Sequence, residues 1–375
     1  MNTLSRLAAV AVVLAGSALA GCTSEPPEDD LAPADAALSP PPTEDAAAVD
    51  PPHTTPDAAT DPNGADAPDA AAAHPTLPDA APPDAGPPPR ALKTIFLIVM
   101  ENHNWSQVQN AASAPYINHT LLPMGAWASN YRNPPGLHPS EPNYIWLEAG
   151  TNLSIGNDAD PPTNHRSTTA HLVTQLRAAN IPWRAYQEGI DGTACPIHSF
   201  EKYAAKHNPF VFFDDTNGYN ASTHAFDQTD AYCVTHVRPY PQLAVDLAAG
   251  TVSRYNFITP DLCHDGHDTF GCETLDAVKN EDTWLAHEIP RILASEAYQD
   301  GGLILITWDE GANNSDGPIG LIALSPDLKA PGYVSSIAYT HSSTLRTVQE
   351  ILGVTPLLGN AAAATSLSDL FAVYP

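Results

Sequence analysis

Apolar residues fall into short continuous runs that alternate with helical patterns along the chain. The run at residues 93–100 is typical of a strand that is buried on both faces of a parallel sheet. Further strands are predicted over residues 183–187, 254–259, 302–308 and 319–324. Helices are predicted over residues 167–180, capped by Ser167, and from Ser342 to a stop at Gly353. Strands that alternate with helices predict a three-layer α/β/α fold with a mostly parallel central sheet.

Polar residues follow three of these predicted strands at the point where each strand ends. In chain order they are Glu101, Asn102, Asp261, Asp309 and Glu310. In open α/β sheets, ligands bind just outside the carboxyl ends of the strands, so these side chains are expected to converge. Converging carboxylates repel one another unless a cation lies between them, and a divalent metal is the simplest such cation. The alternative is that acidic residues end strands by chance in an acidic protein.

Composition divides the chain into a linker and a globular part. The 375 residues carry a net charge of −28, which excludes binding of nucleic acid through a basic face. Residues 23–90 hold 18 of the 38 prolines and 14 of the 43 acidic residues, and they contain no Phe, Tyr or Trp. Such a segment buries too little apolar surface to fold, so it is predicted to be a disordered linker. Residues 91–375 are predicted to form the catalytic domain.

The first 22 residues have the layout of an export signal. Arg6 precedes an apolar stretch over residues 8–14, and Leu19-Ala20-Gly21-Cys22 ends the segment. This ending is the pattern of a lipoprotein signal peptide, in which Cys22 is acylated and anchors the protein to a membrane. The alternative is an ordinary signal peptide in which Cys22 is incidental. We expect a cell-envelope location, with the outer membrane or the cell surface favoured because Thr23 is not acidic.

Four cysteines follow Cys22, and an even number in an exported chain favours disulfides. We expect the pairs Cys195–Cys233 and Cys263–Cys272, although four cysteines allow three pairings. The rival interpretation is a zinc site, since two histidines lie between Cys263 and Cys272. Oxidising conditions would compete with zinc for these thiolates.

Taken in order, the motifs resemble the bacterial phosphoesterase family of acid phosphatases and phospholipases C, within the alkaline phosphatase superfamily. The matching segments are residues 98–103, residues 138–144 followed by Gly150, residues 258–261 with a loop rich in His and Asp up to Asp268, residues 307–311, and residues 339–343. Each segment is weak alone, whereas the ordered set covers almost the whole of residues 91–375. The resemblance implies an alkaline-phosphatase-like fold and a divalent metal ion of unknown identity.

The resemblance also implies a role for each matching residue. Glu101 and Asn102 take the positions of the first metal-binding pair, and Asp309 and Glu310 take those of the later acidic pair. Ser140 takes the position of the nucleophile, because related phosphodiesterases place Ser or Thr two residues before Pro-Asn. These five side chains would therefore form the reactive centre.

A second group of matching positions has two interpretations. Asp261, with His264 or His267, and His341 occupy positions that bind a second metal elsewhere in the superfamily. In this chain, more residues than usual separate Asp261 from His267. The alternative is that these side chains hydrogen-bond the phosphoryl oxygens or the leaving group. One of the three histidines is expected to protonate the leaving oxygen.

Phosphoester hydrolysis fits this set of residues. Negative charge spreads over the equatorial oxygens during phosphoryl transfer, so the protein mainly positions groups and supplies positive charge. Attack by Ser140 would give a phosphoseryl intermediate, which water then hydrolyses. Thr151 and Ser154 are the alternative nucleophiles.

Three functions are compatible with the sequence. The favoured one is an exported, metal-dependent phosphomonoesterase that acts on small phosphoesters and is held at a membrane by its lipid anchor. A phospholipase C or another phosphodiesterase would use the same nucleophile and metal. A surface binding lipoprotein that has lost its activity belongs to a different class, and we expect such a protein to have lost at least one site residue.

Overall fold

The computed structural model describes residues 91–375. The predicted signal peptide with Cys22 and the predicted linker over residues 23–90 lie outside the described residues. In the described part, helices alternate with strands along the chain, as the apolar runs indicate. None of the helices in residues 91–375 combines the length and the apolar character that crossing a bilayer requires.

The largest sheet has eight strands, and most neighbouring pairs in it are parallel. In chain order, the strands of the described residues are β1 (Thr94–Met100), β2 (Ala126–Ala128), β3 (Tyr131–Arg132), β4 (Trp183–Gln187), β5 (Tyr219–Asn220), β6 (Ala225–Phe226), β7 (Val237–Pro239), β8 (Tyr255–Thr259), β9 (Gly302–Trp308), β10 (Leu321–Leu324), β11 (Tyr333–Ser335) and β12 (Tyr339–Thr340). The sheet order is β11-β2-β10-β9-β1-β8-β4-β7. Only β10 runs antiparallel to its neighbours β9 and β2 among these pairs.

The centre of the sheet is a continuous apolar layer. All seven residues of β9 are buried, as are six of the seven in β1, which is why both strands are apolar throughout. Met100 pairs with Trp308 at the end of the parallel β1–β9 ladder. The residues that follow, Glu101 and Asp309, therefore emerge side by side at the same edge of the sheet.

Helices cover both faces of this sheet. In chain order they are α1 (Trp105–Val108), α2 (Leu122–Met124), α3 (Ser140–Ala149), α4 (Pro161–Asn164), α5 (Leu172–Ala178), α6 (Ala231–His236), α7 (Pro241–Ala249), α8 (Ala277–Leu293), α9 (Glu296–Gln299) and α10 (His341–Leu352). Phe257 of β8 packs against Tyr144 of α3, with ring centroids 6.2 Å apart. Leu305 of β9 is level with Phe257, because both pair with Leu97 of β1. Side chains alternate between the two faces along a strand, so Trp308, three residues after Leu305, points to the opposite face. There its indole nitrogen donates a hydrogen bond of 3.0 Å to Glu281 of α8.

The α/β fold with a mostly parallel central sheet is therefore confirmed. Strand β4 has the predicted bounds, whereas β10 begins two residues later than predicted. The helix predicted over residues 167–180 is shorter in the structure, where α5 spans Leu172–Ala178. Gly353 ends α10 with a positive φ of 68°, a left-handed conformation that glycine adopts without strain.

The described chain contains two disulfides, and they are the pairs expected from the sequence. Cys195 is bonded to Cys233, and Cys263 is bonded to Cys272. The second bond closes the loop that follows β8 and contains the His and Asp residues singled out in the sequence. With both thiols of this loop oxidised, the structure does not hold the cysteine ligands of the rival zinc site.

Candidate active site

Glu101 lies at the centre of a buried polar cluster at the carboxyl end of β1. Its side chain has no exposed surface. The hydroxyl of Ser140 donates a hydrogen bond of 3.1 Å to Oε2, and the hydroxyl of Tyr144 donates one of 2.6 Å to Oε1. Burial raises the pKa of Glu101 well above its ordinary value, and the nearby Asp309 and Asp265 carboxylates raise it further. Loss of solvation favours the uncharged form of a carboxyl group.

Asp309 emerges from β9 beside Glu101, as the parallel register requires. Its Oδ1 accepts a hydrogen bond of 3.1 Å from the backbone N–H of Asn102. Burial raises the pKa of Asp309, and the hydroxyl of Ser140 is one of the polar neighbours that oppose this rise. The structure thus brings together four residues that the sequence assigned to the reactive centre: Glu101, Asn102, Ser140 and Asp309.

Glu310 lies next to this group, and its carboxylate is bound by neighbouring side chains. Its Oε2 accepts a hydrogen bond of 3.2 Å from Asn143 and lies 2.7 Å from Nδ1 of His138. Burial raises the pKa of Glu310 to about 9, and the charge of Asp309 adds to the rise. Glu310 therefore holds the loop before α3 against the end of β9.

Ser140 is the first residue of α3 and is 2% exposed. Thr151 and Ser154, the alternative nucleophiles, lie beyond the other end of this helix. A helix rises about 1.5 Å per residue, so ten residues separate the two ends by roughly 15 Å. Gly150 ends α3 at a φ of 70°, where an added Cβ would lie 2.4 Å from the carbonyl oxygen of Leu358. The structure therefore places Ser140, rather than the alternatives, beside the acidic cluster.

Two further residues of the cluster were missed in the sequence, namely His207 and Asp265. Nε2 of His207 lies 3.2 Å from Oε1 of Glu101, and Nδ1 lies 3.1 Å from Oδ2 of Asp265. The imidazole stacks on Tyr144, with ring centroids 5.0 Å apart. His207 lies in a short 3-10 helix, Ala205–His207, that follows no predicted strand, whereas Asp265 lies in the His/Asp-rich loop and could have been considered. A carboxylate behind one histidine nitrogen is a common way of orienting the other toward a metal.

Lys206 brings a positive charge to the acidic cluster. Its ammonium group lies 3.0 Å from Oδ2 of Asp158 and 3.3 Å from Nε2 of His267. Burial lowers the pKa of Lys206, but the charges of Glu101 and Asp158 outweigh this effect and leave the pKa above its ordinary value. The side chain is therefore an ammonium ion at neutral pH.

The donor atoms of this cluster fit a divalent cation. Among the described residues, the buried atoms that form no hydrogen bond include Oδ1 of Asn102, Oδ2 of Asp309 and Nε2 of His207, whose contact of 3.2 Å with Oε1 of Glu101 does not have hydrogen-bond geometry. Buried polar atoms are rarely left without a partner, so these three atoms indicate a missing ligand. Single atoms of Glu101, His207 and Asp265 also lie within 4.8 Å of one another. Oxygen donors with one imidazole suit several common divalent metals.

Asp261 and His264 belong to a separate, half-buried cluster with Glu188. Nδ1 of His264 lies 2.8 Å from Oε2 of Glu188 and 3.4 Å from Oδ1 of Asp261. Burial lowers the pKa of His264, but the bond to Glu188 and the neighbouring carboxylates raise it overall, to about 9. The three residues also have donor atoms within 4.8 Å of one another. The nearest partners of Asp261 and His264 are therefore different from those of Glu101.

His341 and His267 occupy very different environments. His341 is fully buried, with Nε2 2.6 Å from the carbonyl oxygen of Asp309 and Nδ1 3.0 Å from the hydroxyl of Tyr131. Burial lowers the pKa of His341 to about 4. His267 is partly exposed and contacts Asp268 through Nδ1 at 2.9 Å. His341 is thus placed to position the Asp309 backbone, and His267 is placed where a substrate could reach it.

This arrangement of a serine hydroxyl, buried carboxylates and a histidine at the carboxyl ends of a parallel sheet is that of a hydrolase acting on ester bonds. Residues 130–355 match the phosphoesterase family. The chain therefore belongs to the phosphoesterase family, and it is a phosphoric ester hydrolase.

Several known proteins are similar to this chain. The phosphatidylinositol-3-phosphatase of Mycobacterium tuberculosis is 26% identical over 292 residues, which cover 77% of this chain and 87% of that protein. The probable acid phosphatase of Kluyveromyces lactis is 27% identical over 272 residues, which cover 69% of this chain and 58% of that protein. Among solved structures, the phosphonate monoester hydrolase of Silicibacter pomeroyi is 14% identical with a TM-score of 0.48, and the match covers 76% of this chain and 77% of that one.

Proposed function

We propose that this protein is a metal-dependent phosphomonoesterase that uses Ser140 as its nucleophile. The observation that carries the proposal is the hydrogen bond of 3.1 Å from the Ser140 hydroxyl to buried Glu101, in a cluster with unpartnered donor atoms. Relatives that are named phosphatases support a phosphomonoester as the substrate. We further propose that the protein belongs to the alkaline phosphatase superfamily.

Four residues would hold the cation: Glu101, Asn102, Asp309 and His207. Their unpartnered or acidic atoms face one cluster, and Asp265 fixes the ring of His207 from behind. A bound divalent cation would supply positive charge to the phosphoryl oxygens and would lower the pKa of a hydroxyl beside it.

The residues of the chain account for the first chemical step. Oε2 of Glu101 already accepts the hydrogen bond from Ser140, so Glu101 is the base best placed to take the hydroxyl proton. The Ser140 oxygen then bonds to phosphorus as the bond to the leaving oxygen breaks. Water later attacks the phosphoseryl group, which releases phosphate and restores the hydroxyl.

The proton donor to the leaving oxygen stays a prediction. His267 is the histidine that a substrate could reach, since its side chain is 28% exposed. His341 is fully buried and both of its ring nitrogens contact interior atoms, whereas the partners of the His267 ring, Lys206 and Asp268, are themselves partly exposed. We therefore propose His267 for this role ahead of His341 and His264.

We also propose that the protein is exported and anchored at the cell envelope through acylated Cys22. The sequence pattern at residues 19–22 and the Pro-rich segment behind it support this location. Labelling of cells with a radioactive or clickable fatty acid should mark the protein, and Cys22→Ser should remove the label. A label that survives in Cys22→Ser would contradict the anchor.

The decisive test of the activity is Ser140→Ala in protein supplied with divalent metals. We expect hydrolysis of p-nitrophenyl phosphate to fall by at least about 1000-fold, because the nucleophile is lost. Thr151→Ala is the matched control, and we expect it to retain activity. The metal content and the unfolding curve of both variants should match those of the unaltered protein.

Three outcomes would contradict the proposal. Full activity in Ser140→Ala would remove Ser140 as the nucleophile. Hydrolysis of p-nitrophenyl phosphorylcholine without hydrolysis of p-nitrophenyl phosphate would favour the phospholipase C alternative. If the unaltered protein hydrolysed neither ester with any common divalent metal, the inactive binding lipoprotein would be the better description.

A further inference from the structure

Lys206 lies at the edge of the acidic cluster, between the segment that positions Ser140 and the partly exposed His267. Oδ2 of Asp158 accepts a hydrogen bond of 3.0 Å from its ammonium group, and Oδ1 of the same carboxylate accepts one of 3.0 Å from the backbone N–H of Glu141. Asp158 thus ties the ammonium group to the residue that directly follows Ser140. On the other side, the ammonium group lies 3.3 Å from Nε2 of His267.

The position of Lys206 is open to a ligand. Its side chain is 18% exposed, and those of its two partners, Asp158 and His267, are 27% and 28% exposed. An ammonium group has three N–H donors. Two of them are directed at Asp158 and His267, and no residue of the described chain accepts a hydrogen bond from the third. Lys206 can therefore contact a bound anion while it stays bonded to Asp158.

Electrostatics explain why a fixed cation is useful here. In their ionised forms, Glu101, Asp265, Asp309 and Glu310 would repel an approaching phosphate ester. The ammonium group of Lys206 lies close enough to act on all four of these carboxyl groups. A charge held in a partly buried site is screened less by water and salt than a charge on the surface.

We propose that the Lys206 ammonium group contacts a non-bridging phosphoryl oxygen and makes the site selective for phosphomonoester dianions over phosphodiesters. A phosphomonoester carries close to two negative charges at neutral pH, because its second pKa is about 6. A phosphodiester carries one charge, and an uncharged alkoxy group replaces one of its anionic oxygens. A cation at this position therefore stabilises the monoester more than the diester. This inference rests on the proposed function, since it concerns the same site.

The test compares Lys206→Met with Lys202→Met. Lys202 is a matched control, because it lies in the same segment and pairs with Asp268 at 2.8 Å, but it is bonded to the loop carbonyl of Phe270 rather than to Asp158. The quantity measured is kcat/KM for p-nitrophenyl phosphate divided by kcat/KM for bis-p-nitrophenyl phosphate. We expect this ratio to fall about 100-fold in Lys206→Met, the loss typical of one removed electrostatic donor. In Lys202→Met it should change by less than about 3-fold.

Binding of inorganic phosphate provides a readout that does not depend on turnover. By calorimetry, the dissociation constant for phosphate should rise at least about 10-fold in Lys206→Met, with the metal content unchanged. In the unaltered protein, phosphate should also protect Lys206, but not Lys202, from acetylation by acetic anhydride, as followed by mass spectrometry. This protection experiment decides the matter if Lys206→Met does not fold.

An unchanged ratio with unchanged phosphate affinity in Lys206→Met would overturn the inference and leave Lys206 as a structural partner of Asp158. Equal acetylation of Lys206 with and without phosphate would overturn it as well. Failure of the proposed function has a different signature, since the unaltered protein would then hydrolyse neither ester or only the diester.

Discussion

Glu141 offers a direct test of how burial controls the ionisation of acids in this protein. Its side chain has no exposed surface, and it lies directly after Ser140 in α3. Its two oxygens accept hydrogen bonds of 3.0 and 3.2 Å from the side-chain amide of Asn164. Burial raises the pKa of Glu141 from 4.5 to about 9, although the bonds from Asn164 act in the opposite direction. Glu141 is therefore uncharged in the folded protein at neutral pH.

The substitution Glu141→Gln removes the titration and keeps an oxygen that can accept from Asn164. In the original protein, Glu141 ionises on unfolding at any pH above 4.5, so its contribution to stability is present below pH 4.5 and is lost as the pH rises toward about 9. Each pH unit in this window lowers the free energy of unfolding of the original protein by about 1.4 kcal/mol. Between pH 4.5 and 7.5, the free energy of unfolding of Glu141→Gln should therefore rise by about 4 kcal/mol relative to the original protein.

Urea denaturation of both metal-free proteins at pH 4.5, 6.0 and 7.5 measures this difference. The other buried carboxyl groups are common to both proteins, so their pH dependence cancels. Glu201→Gln is the control, because Glu201 is exposed and the same substitution there should leave the difference independent of pH. A rise of less than about 1 kcal/mol between pH 4.5 and 7.5 would refute the reasoning, since Glu141 would then be charged in the folded protein.

Two further predictions concern a hydrogen bond and a disulfide. Tyr144→Phe removes the bond of 2.6 Å to Glu101 without opening a cavity, and we expect metal affinity, measured by calorimetry, to fall about 10- to 100-fold. An unchanged affinity would show that Tyr144 does not orient Glu101. Replacing both Cys195 and Cys233 by Ala frees a loop with a sequence separation of 38 residues, which should lower the free energy of unfolding in urea by about 3–4 kcal/mol. A loss below about 1 kcal/mol would contradict the chain-entropy account of this bond.

The sequence alone determined the five longest strands of the eight-stranded sheet and the acidic half of the site, but neither the strand order nor the short strands β2, β7 and β11. Strands β1 and β9 were visible because a strand buried on both faces needs a continuous apolar run. Glu101 and Asp309 were visible because each follows such a run, and residues at the carboxyl ends of neighbouring parallel strands must meet. These inferences depend only on short-range patterns and on one rule of sheet geometry.

Tertiary structure alone decided which other residues join the site. His207 and Lys206 lie in a short 3-10 helix, Ala205–His207, that is too short to show a periodic pattern in the sequence, and they reach Glu101 only through packing against α3. Packing also buries His341 completely, so its environment differs from that of exposed His267 although the two residues had the same predicted role. Spacing along a chain does not encode burial or contacts between distant segments, and these depend on how all the helices cover the sheet.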